Sequence, residues 1–111
     1  LKPNYLAQSP DRQRILNVCM EMAETLGPAV FVDQSLAIQH RPDQCKTLRS
    51  VTIPSLILCG KEDRLCPVAR HELMHELIPG SRLAVIPDAG HLPTLEQPEH
   101  TNGFLEEWLK I

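Results

Sequence analysis

The amino-acid sequence predicts an α/β fold in which a helical segment precedes two parallel strands with flanking helices. Two short apolar runs support this prediction, since residues 55–59 read SLILC and residues 82–86 read RLAVI. Proline or glycine bounds both runs, as is typical of strands that are buried on both faces of a sheet. About 20 residues separate the runs, which is enough for a right-handed crossover, so we expect the two strands to be parallel.

The composition and charge of the chain argue against a nucleic-acid-binding protein and against a membrane span. The chain has 111 residues, of which 42% are hydrophobic and 23% charged, and its net charge is -3, as expected for one ordinary globular domain. No basic stretch indicates a nucleic-acid partner. No apolar run approaches the roughly 20 residues of a membrane span, and no signal peptide is recognisable. We therefore expect no membrane association and a cytoplasmic location.

The four cysteines form no C-x-x-C pair, and their irregular spacing suits free thiols in a reducing compartment. They are Cys19, Cys45, Cys59 and Cys66.

The first half of the chain is predicted to be helical. Ser9-Pro10 is a helix-start signal, in which the hydroxyl of Ser9 should cap the helix and Pro10 should take its first position. Apolar residues follow at helical spacing over residues 10–26. Gly27-Pro28 should end that helix, and residues 29–40 should form a second one. Residues 43–52 are polar and are expected to form a connection.

The second half alternates strands and helices. A helix is expected over residues 64–77, with Ala69, Leu73 and Leu77 on its buried face because they recur at helical spacing. A last helix begins at Pro98. Residues 54–110 therefore read as strand, helix, strand, helix.

Residues 71–75 read HELMH, which matches the H-E-x-x-H pattern of zinc hydrolases. Helix periodicity places His71 and His75 opposite the expected buried face, so both should point to solvent. Such a zinc site needs a third ligand and a partly buried cleft. We interpret HELMH as a solvated helix face and expect no metal or organic cofactor, with a zinc-binding protein as a less favoured alternative.

Two stronger candidates follow the ends of the strands. The first strand leads into Gly60-Lys61-Glu62-Asp63, and the second leads into Asp88-Ala89-Gly90-His91. Ligands of parallel sheets bind at the carboxyl ends of the strands, so Asp63 and His91 should lie near each other there. An aspartate that accepts the Nδ1 proton of a histidine leaves Nε2 free as a general base.

The stretches IPSLILCGKEDRLCPV and IPGSRLAVIPDAGHLPTLEQPEHTNGFLEEWL resemble the C-terminal part of an α/β-hydrolase. The resemblance rests on G-x-x-D after one strand, D-x-G-H after the next, and the L-E-x-P-E segment before the final helix. It implies that Asp63 is the acid and His91 the base of a catalytic triad. It also implies that residues 1–50 are cap helices with a connection and that residues 51–111 are the C-terminal part of the core.

The family nucleophile, a serine in G-x-S-x-G, has no counterpart in this sequence. None of the serines at positions 9, 35, 50, 55 and 81 is flanked by the required glycines. We therefore expect this chain alone to be inactive and the intact protein to hydrolyse a carboxylic ester or a related acyl compound. Thioesters, amides, lactones and C–C bonds beside a carbonyl remain open.

Two strands are too few for a stable sheet. The open edge of the strand at 55–59 should therefore pair with a missing N-terminal half of the protein or with a second copy of the chain; the third alternative is a partly molten chain. A non-catalytic, dimerising interaction module is the alternative to the enzyme.

Overall fold

A computed structural model describes residues 1–110 of the chain. Within these residues a two-stranded sheet is accompanied by α-helices and one short 3₁₀ helix. In chain order, the elements are the 3₁₀ helix Pro3–Tyr5, α1 (Arg12–His40), α2 (Cys45–Arg49), β1 (Leu56–Gly60), α3 (Val68–Leu77), β2 (Arg82–Ile86), α4 (Pro93–Glu96) and α5 (Pro98–Leu109).

The predicted pair of parallel strands is confirmed. β1 and β2 pair in parallel from Leu56 opposite Arg82 to Gly60 opposite Ile86, and β1 begins one residue later than predicted. The inward-facing side chains are small or branched: Ile57 and Cys59 in β1, and Ala84 and Ile86 in β2, are all buried. Because the strands end in register, the loops that follow them leave the sheet at the same edge.

α1 is continuous in outline but is interrupted at Gly27, whose φ of 82° and ψ of 172° are not helical. This break is where the Gly27-Pro28 signal predicts a helix boundary. A positive φ of this kind favours glycine because it has no Cβ. The prediction that Ser9 caps the first helix is wrong: the N-cap position is Asp11 and has no side-chain capping bond. Ser9 instead contributes its carbonyl oxygen to a turn closed by the N–H of Arg12.

By length and composition alone, α1 is long and apolar enough to cross a membrane, with a mean hydropathy of 1.3 in its most apolar window. The sequence predicts no such segment, because it contains no apolar run of sufficient length. The non-helical backbone at Gly27 divides α1 into two parts, and neither reaches the roughly 20 residues needed to span a bilayer.

The predicted buried face of the helix that follows β1 is wrong for Ala69 and Leu73, whereas Leu77 is half-buried. Leu73 is 48% exposed and Ala69 is exposed, whereas His71 and Met74 are half-buried. The helix begins at Val68 instead of residue 64, because the turn after Asp63 occupies the intervening residues. Its less exposed positions recur every three residues from Val68, which turns a different face toward the sheet.

Candidate active site

The side chains of Asp63 and His91 meet at the carboxyl edge of the sheet. Nδ1 of His91 lies 3.0 Å from Oδ2 of Asp63. A carboxylate can only accept hydrogen bonds, so Nδ1 must carry the proton that it donates. The side chain of Asp63 is 5% exposed and that of His91 is 29% exposed, so the acid is shielded from water while the imidazole reaches the surface.

The turn after β1 fixes the orientation of Asp63. Its Oδ1 accepts the backbone N–H groups of Leu65 and Cys66, each at 2.9 Å. Aspartate commonly stabilises turns in this way. Because Oδ1 is held by the chain immediately after it, Oδ2 is left to accept the proton of the imidazole.

The loop that carries His91 is joined to the loop that carries Asp63 by backbone hydrogen bonds. The N–H of Lys61 donates to the carbonyl of Ile86, and the N–H of Glu62 donates to that of Ala89, each at 2.8 Å. Asp88 turns the chain with a φ of 56°, a left-handed conformation that aspartate tolerates. The two loops that carry Asp63 and His91 are therefore joined directly to each other.

Close backbone packing at this edge requires glycine at two positions. A Cβ on Gly60 would collide with the carbonyl oxygen of Gly90, and a Cβ on Gly90 would collide with the carbonyl oxygen of Tyr5. That same Tyr5 carbonyl accepts the N–H of His91 at 2.8 Å. The segment around Tyr5, near the start of the chain, thus packs directly against the backbone of His91.

Glu96 lies beneath the same loop. Its carboxylate accepts the backbone N–H groups of Gly90 and Leu92 at 3.0 and 2.9 Å, and that of Ala7 at 2.7 Å. Sequence reasoning missed this residue, although it lies within the L-E-x-P-E segment. The capping-box pattern does not mark it, because that pattern places Glu three residues after Ser or Thr, whereas Glu96 lies four residues after the N-cap residue Leu92.

The imidazole of His91 keeps one nitrogen free for chemistry. Within residues 1–110, its only hydrogen bond to another side chain is the one from Nδ1 to Asp63. The serine hydroxyls whose bonds are resolved have other partners, namely the backbone carbonyls of Phe31, Thr47 and Ile53 and the residue His75. Nε2 is therefore able to accept or return a proton.

An open cavity of about 690 Å³ lies beside Asp63. It opens next to the acid, and His91 is not part of its wall. Its lining is mostly polar and charged: Asn4, Leu6, Gln8, Arg12, Lys61, Glu62, Asp63, Arg64 and Asp88.

The histidines of HELMH have local partners. Nδ1 of His71 lies 3.1 Å from the carbonyl oxygen of Pro67, and Nδ1 of His75 lies 2.8 Å from Oγ of Ser81. His71 is half-buried, contrary to the prediction that it points to solvent, whereas His75 is exposed as predicted. In the part of the chain that the structure describes, no group of three or more His, Cys, Asp or Glu side chains could hold a metal ion.

All four thiols are free, as predicted. Cys59, in β1, is 2% exposed. Burial raises the pKa of its thiol, and the nearby carboxylates of Asp63 and Glu72 raise it further. Cys59 is therefore a poor nucleophile despite its position one strand residue before Gly60.

No family model matches the chain, but individual proteins do. A pimeloyl-[acyl-carrier protein] methyl ester esterase of Neisseria meningitidis is 28% identical over 94 residues, which are 85% of this chain and 36% of that protein. A proline iminopeptidase of Heyndrickxia coagulans is 29% identical over 108 residues, which are 97% of this chain and 35% of that protein. The chain thus spans about a third of the length of these curated relatives.

Solved structures of esterases are also similar to this chain. A thermophilic esterase from Thermogutta terrifontis is 44% identical, with a TM-score of 0.62, over 64% of this chain and 26% of that one. Another thermophilic esterase is 27% identical, with a TM-score of 0.75, over 97% of this chain and 43% of that one. The second match extends over nearly the whole chain, so it includes the helical segment as well as the strands.

Proposed function

Because the chain belongs to the α/β-hydrolase superfamily, we propose that it supplies the acid and the base of a serine hydrolase. Asp63 is the acid and His91 the base. The observation that carries the proposal is the 3.0 Å contact between Nδ1 of His91 and Oδ2 of Asp63. It occurs at the edge of a parallel sheet where ligands bind, and it leaves Nε2 free.

In this mechanism a serine hydroxyl attacks the acyl carbon of the substrate while its proton passes to Nε2 of His91. Asp63 stabilises the imidazolium and keeps the proton of the neutral ring on Nδ1. His91 then returns the proton to the leaving alcohol, and an acyl-enzyme remains. Water attacks this acyl group in the second half of the reaction and gives a proton to Nε2. That proton passes to the serine oxygen as the acyl–oxygen bond breaks, so the carboxylic acid leaves and the serine hydroxyl is restored.

The proposed substrate is a small carboxylic ester. Several similar proteins are named as esterases, among them one that acts on a methyl ester. The iminopeptidase among the relatives shows why amides stay a possible second class. No metal or organic cofactor takes part in the proposed reaction.

The nucleophile is proposed to come from outside this chain, on a missing N-terminal half of the protein. No serine of the sequence stands in a G-x-S-x-G pattern. Loss of one triad member removes nearly all triad chemistry, so the chain alone should not turn over esters. In the same proposal residues 1–50 form the cap, residues 51–111 form part of the core, and the protein acts in the cytoplasm.

The proposal is tested by ester hydrolysis with a panel of p-nitrophenyl esters of increasing acyl length. The protein is assayed as the 111-residue chain and as a preparation that also carries a G-x-S-x-G segment. We expect turnover only in the second, with a large loss in His91→Ala and none in His75→Ala. His75 is a matched control because it also lies near a serine hydroxyl. Activity that survives His91→Ala but not His75→Ala, together with stoichiometric metal, would favour the zinc alternative.

A non-catalytic, dimerising role is the second candidate, because β1 pairs with β2 along one edge only. Within residues 1–110 its other edge has no strand partner, and such an edge can recruit a second copy of the chain. Sedimentation of the purified chain distinguishes the two cases. A dimer disrupted by Leu58→Lys would support pairing through β1, whereas a stable monomer would exclude it.

A further inference from the structure

We infer that Glu96 is a positioning residue for His91: its carboxylate holds the backbone on both sides of the histidine and so aims the imidazole at Asp63. This inference rests on the proposed function for its catalytic consequence, but its structural content stands without it. The observation is the set of backbone N–H groups that converge on one carboxylate, from Ala7, Gly90 and Leu92.

The loop needs such a partner because it lies between secondary-structure elements. β2 ends at Ile86 and α4 begins at Pro93, so no strand or helix ladder takes up the N–H groups of residues 90 and 92. Buried backbone N–H groups must be satisfied. Glu96 accepts both of them, while the N–H of His91 between them donates to Tyr5. All three consecutive N–H groups around the histidine are thereby fixed.

Glu96 also donates a hydrogen bond back to the loop that carries His91. The backbone N–H of Glu96 donates to the carbonyl of Leu92 at 2.9 Å, while Oε2 of Glu96 accepts the N–H of Leu92 at 2.9 Å. Together the two bonds tie the first turn of α4 to the end of the His91 loop. The side chain that aims the loop is therefore itself held by the loop.

Within residues 1–110, Glu96 forms no ion pair; the ion pairs there join Arg14 to Asp11, Arg82 to Glu107 and His91 to Asp63. Its charge is balanced by N–H dipoles alone. Hydrogen bonds to an ionised acceptor are shorter and stronger than neutral ones, so a neutral replacement should loosen the loop. A displacement of about 1 Å at a catalytic group can cost about 100-fold in rate.

The variant that tests this is Glu96→Gln, which keeps the shape of the side chain but replaces one acceptor oxygen with an N–H donor. That donor would face the backbone N–H groups of Gly90 and Leu92. Glu99→Gln is the matched control, since Glu99 lies three residues further along the chain and is exposed. Glu96→Asp keeps the charge but shortens the reach, and should give an intermediate result.

The readout on the 111-residue chain is the tautomer of His91, followed by long-range ¹H–¹⁵N spectra. The unaltered chain and Glu99→Gln should show the proton on Nδ1, protected from exchange by Asp63. Glu96→Gln should show a mixture of tautomers and faster exchange. The indole N–H of Trp108, which donates to the carbonyl of Pro54 at 3.3 Å, reports on the fold elsewhere and should not change.

Two results would overturn the inference. One is an unchanged His91 tautomer in Glu96→Gln. The other is loss of both the His91 and the Trp108 signals, because Glu96 would then support the whole fold and not one side chain. In an active preparation, kcat should fall about 10- to 100-fold in Glu96→Gln with KM nearly constant. If His91→Ala keeps full activity while the tautomer result holds, the proposed function fails and the positioning role survives.

Discussion

Replacing Asp63 by asparagine or by alanine separates its two roles, because its two oxygens have different partners. Oδ1 accepts the N–H groups of Leu65 and Cys66, and Oδ2 accepts the proton of Nδ1 of His91. Asparagine keeps the first oxygen and replaces the second with an NH₂ group. Alanine removes both and leaves two backbone N–H groups without their acceptor beside a buried position.

The expected magnitudes follow from these bonds. In Asp63→Asn, a hydrogen bond to a charged acceptor becomes a neutral one, so the free energy of unfolding should fall by about 1 kcal/mol. In Asp63→Ala all three acceptor contacts are lost, and each unsatisfied partner costs about 1–3 kcal/mol, so the fall should be about 3 kcal/mol or more. Activity should decline steeply in both variants. The NH₂ group of asparagine forces the proton of His91 onto Nε2, a change that costs about 10⁴-fold in kcat in other serine triads.

Urea denaturation followed by circular dichroism measures the first effect, and the intact enzyme's kcat measures the second. The key comparison is between stability and activity in the two variants. Asp63→Asn should be only slightly destabilised and yet as inactive as Asp63→Ala. Equal destabilisation of the two variants would refute the role of Oδ1 in the turn. An asparagine variant with normal activity and an unchanged His91 tautomer would refute the role of Oδ2.

Two further predictions concern the backbone and the buried thiol. Gly90→Ala should destabilise the chain by at least about 1–3 kcal/mol, because its Cβ would meet the Tyr5 carbonyl. Gly103→Ala should instead raise stability by about 0.5–1 kcal/mol, because a Cβ there meets nothing. Thermal unfolding that gives the two variants the same stability would contradict this prediction. Burial raises the pKa of the Cys59 thiol, so the folded state holds that proton more tightly than the unfolded chain does. This tighter proton binding contributes fully to the free energy of unfolding below the ordinary thiol pKa of about 8.5. The contribution is lost as pH rises through the higher pKa of the thiol in the folded state. The free energy of unfolding should therefore decline at alkaline pH, less so in Cys59→Ala, and an equal decline in both proteins would show that Cys59 is not the cause.

The strands and the meeting of Asp63 with His91 follow from local sequence because each depends on short-range signals. Apolar runs bounded by proline and glycine define β1 and β2, and parallel pairing then brings the two strand ends together. The sequence alone is therefore enough to predict that the acid and the base lie near one another. Their catalytic roles rest on the family pattern and stay a proposal.

Other features depend on contacts far apart in sequence and could not be predicted in the same way. The N–H of Ala7 reaches Glu96 across 89 residues, and nothing in the sequence near either residue indicates the partner. The predicted buried face of α3 was wrong for Ala69 and Leu73 because helical spacing groups residues on one face but does not show which face packs against the sheet. The exposed fractions of Met20 and Phe31, 61% and 69%, show that the apolar spacing in α1 does not by itself define a buried face.

The most direct test of the central claim is covalent labelling of the active protein with a fluorophosphonate, followed by mass spectrometry to locate the modified serine. The reagent reacts with a serine whose proton is taken by a neighbouring base. The account predicts one labelled serine, outside residues 1–111 and within a G-x-S-x-G segment, whose labelling rate collapses in His91→Ala. Labelling at the normal rate without His91, or labelling of a serine within this chain, would contradict it.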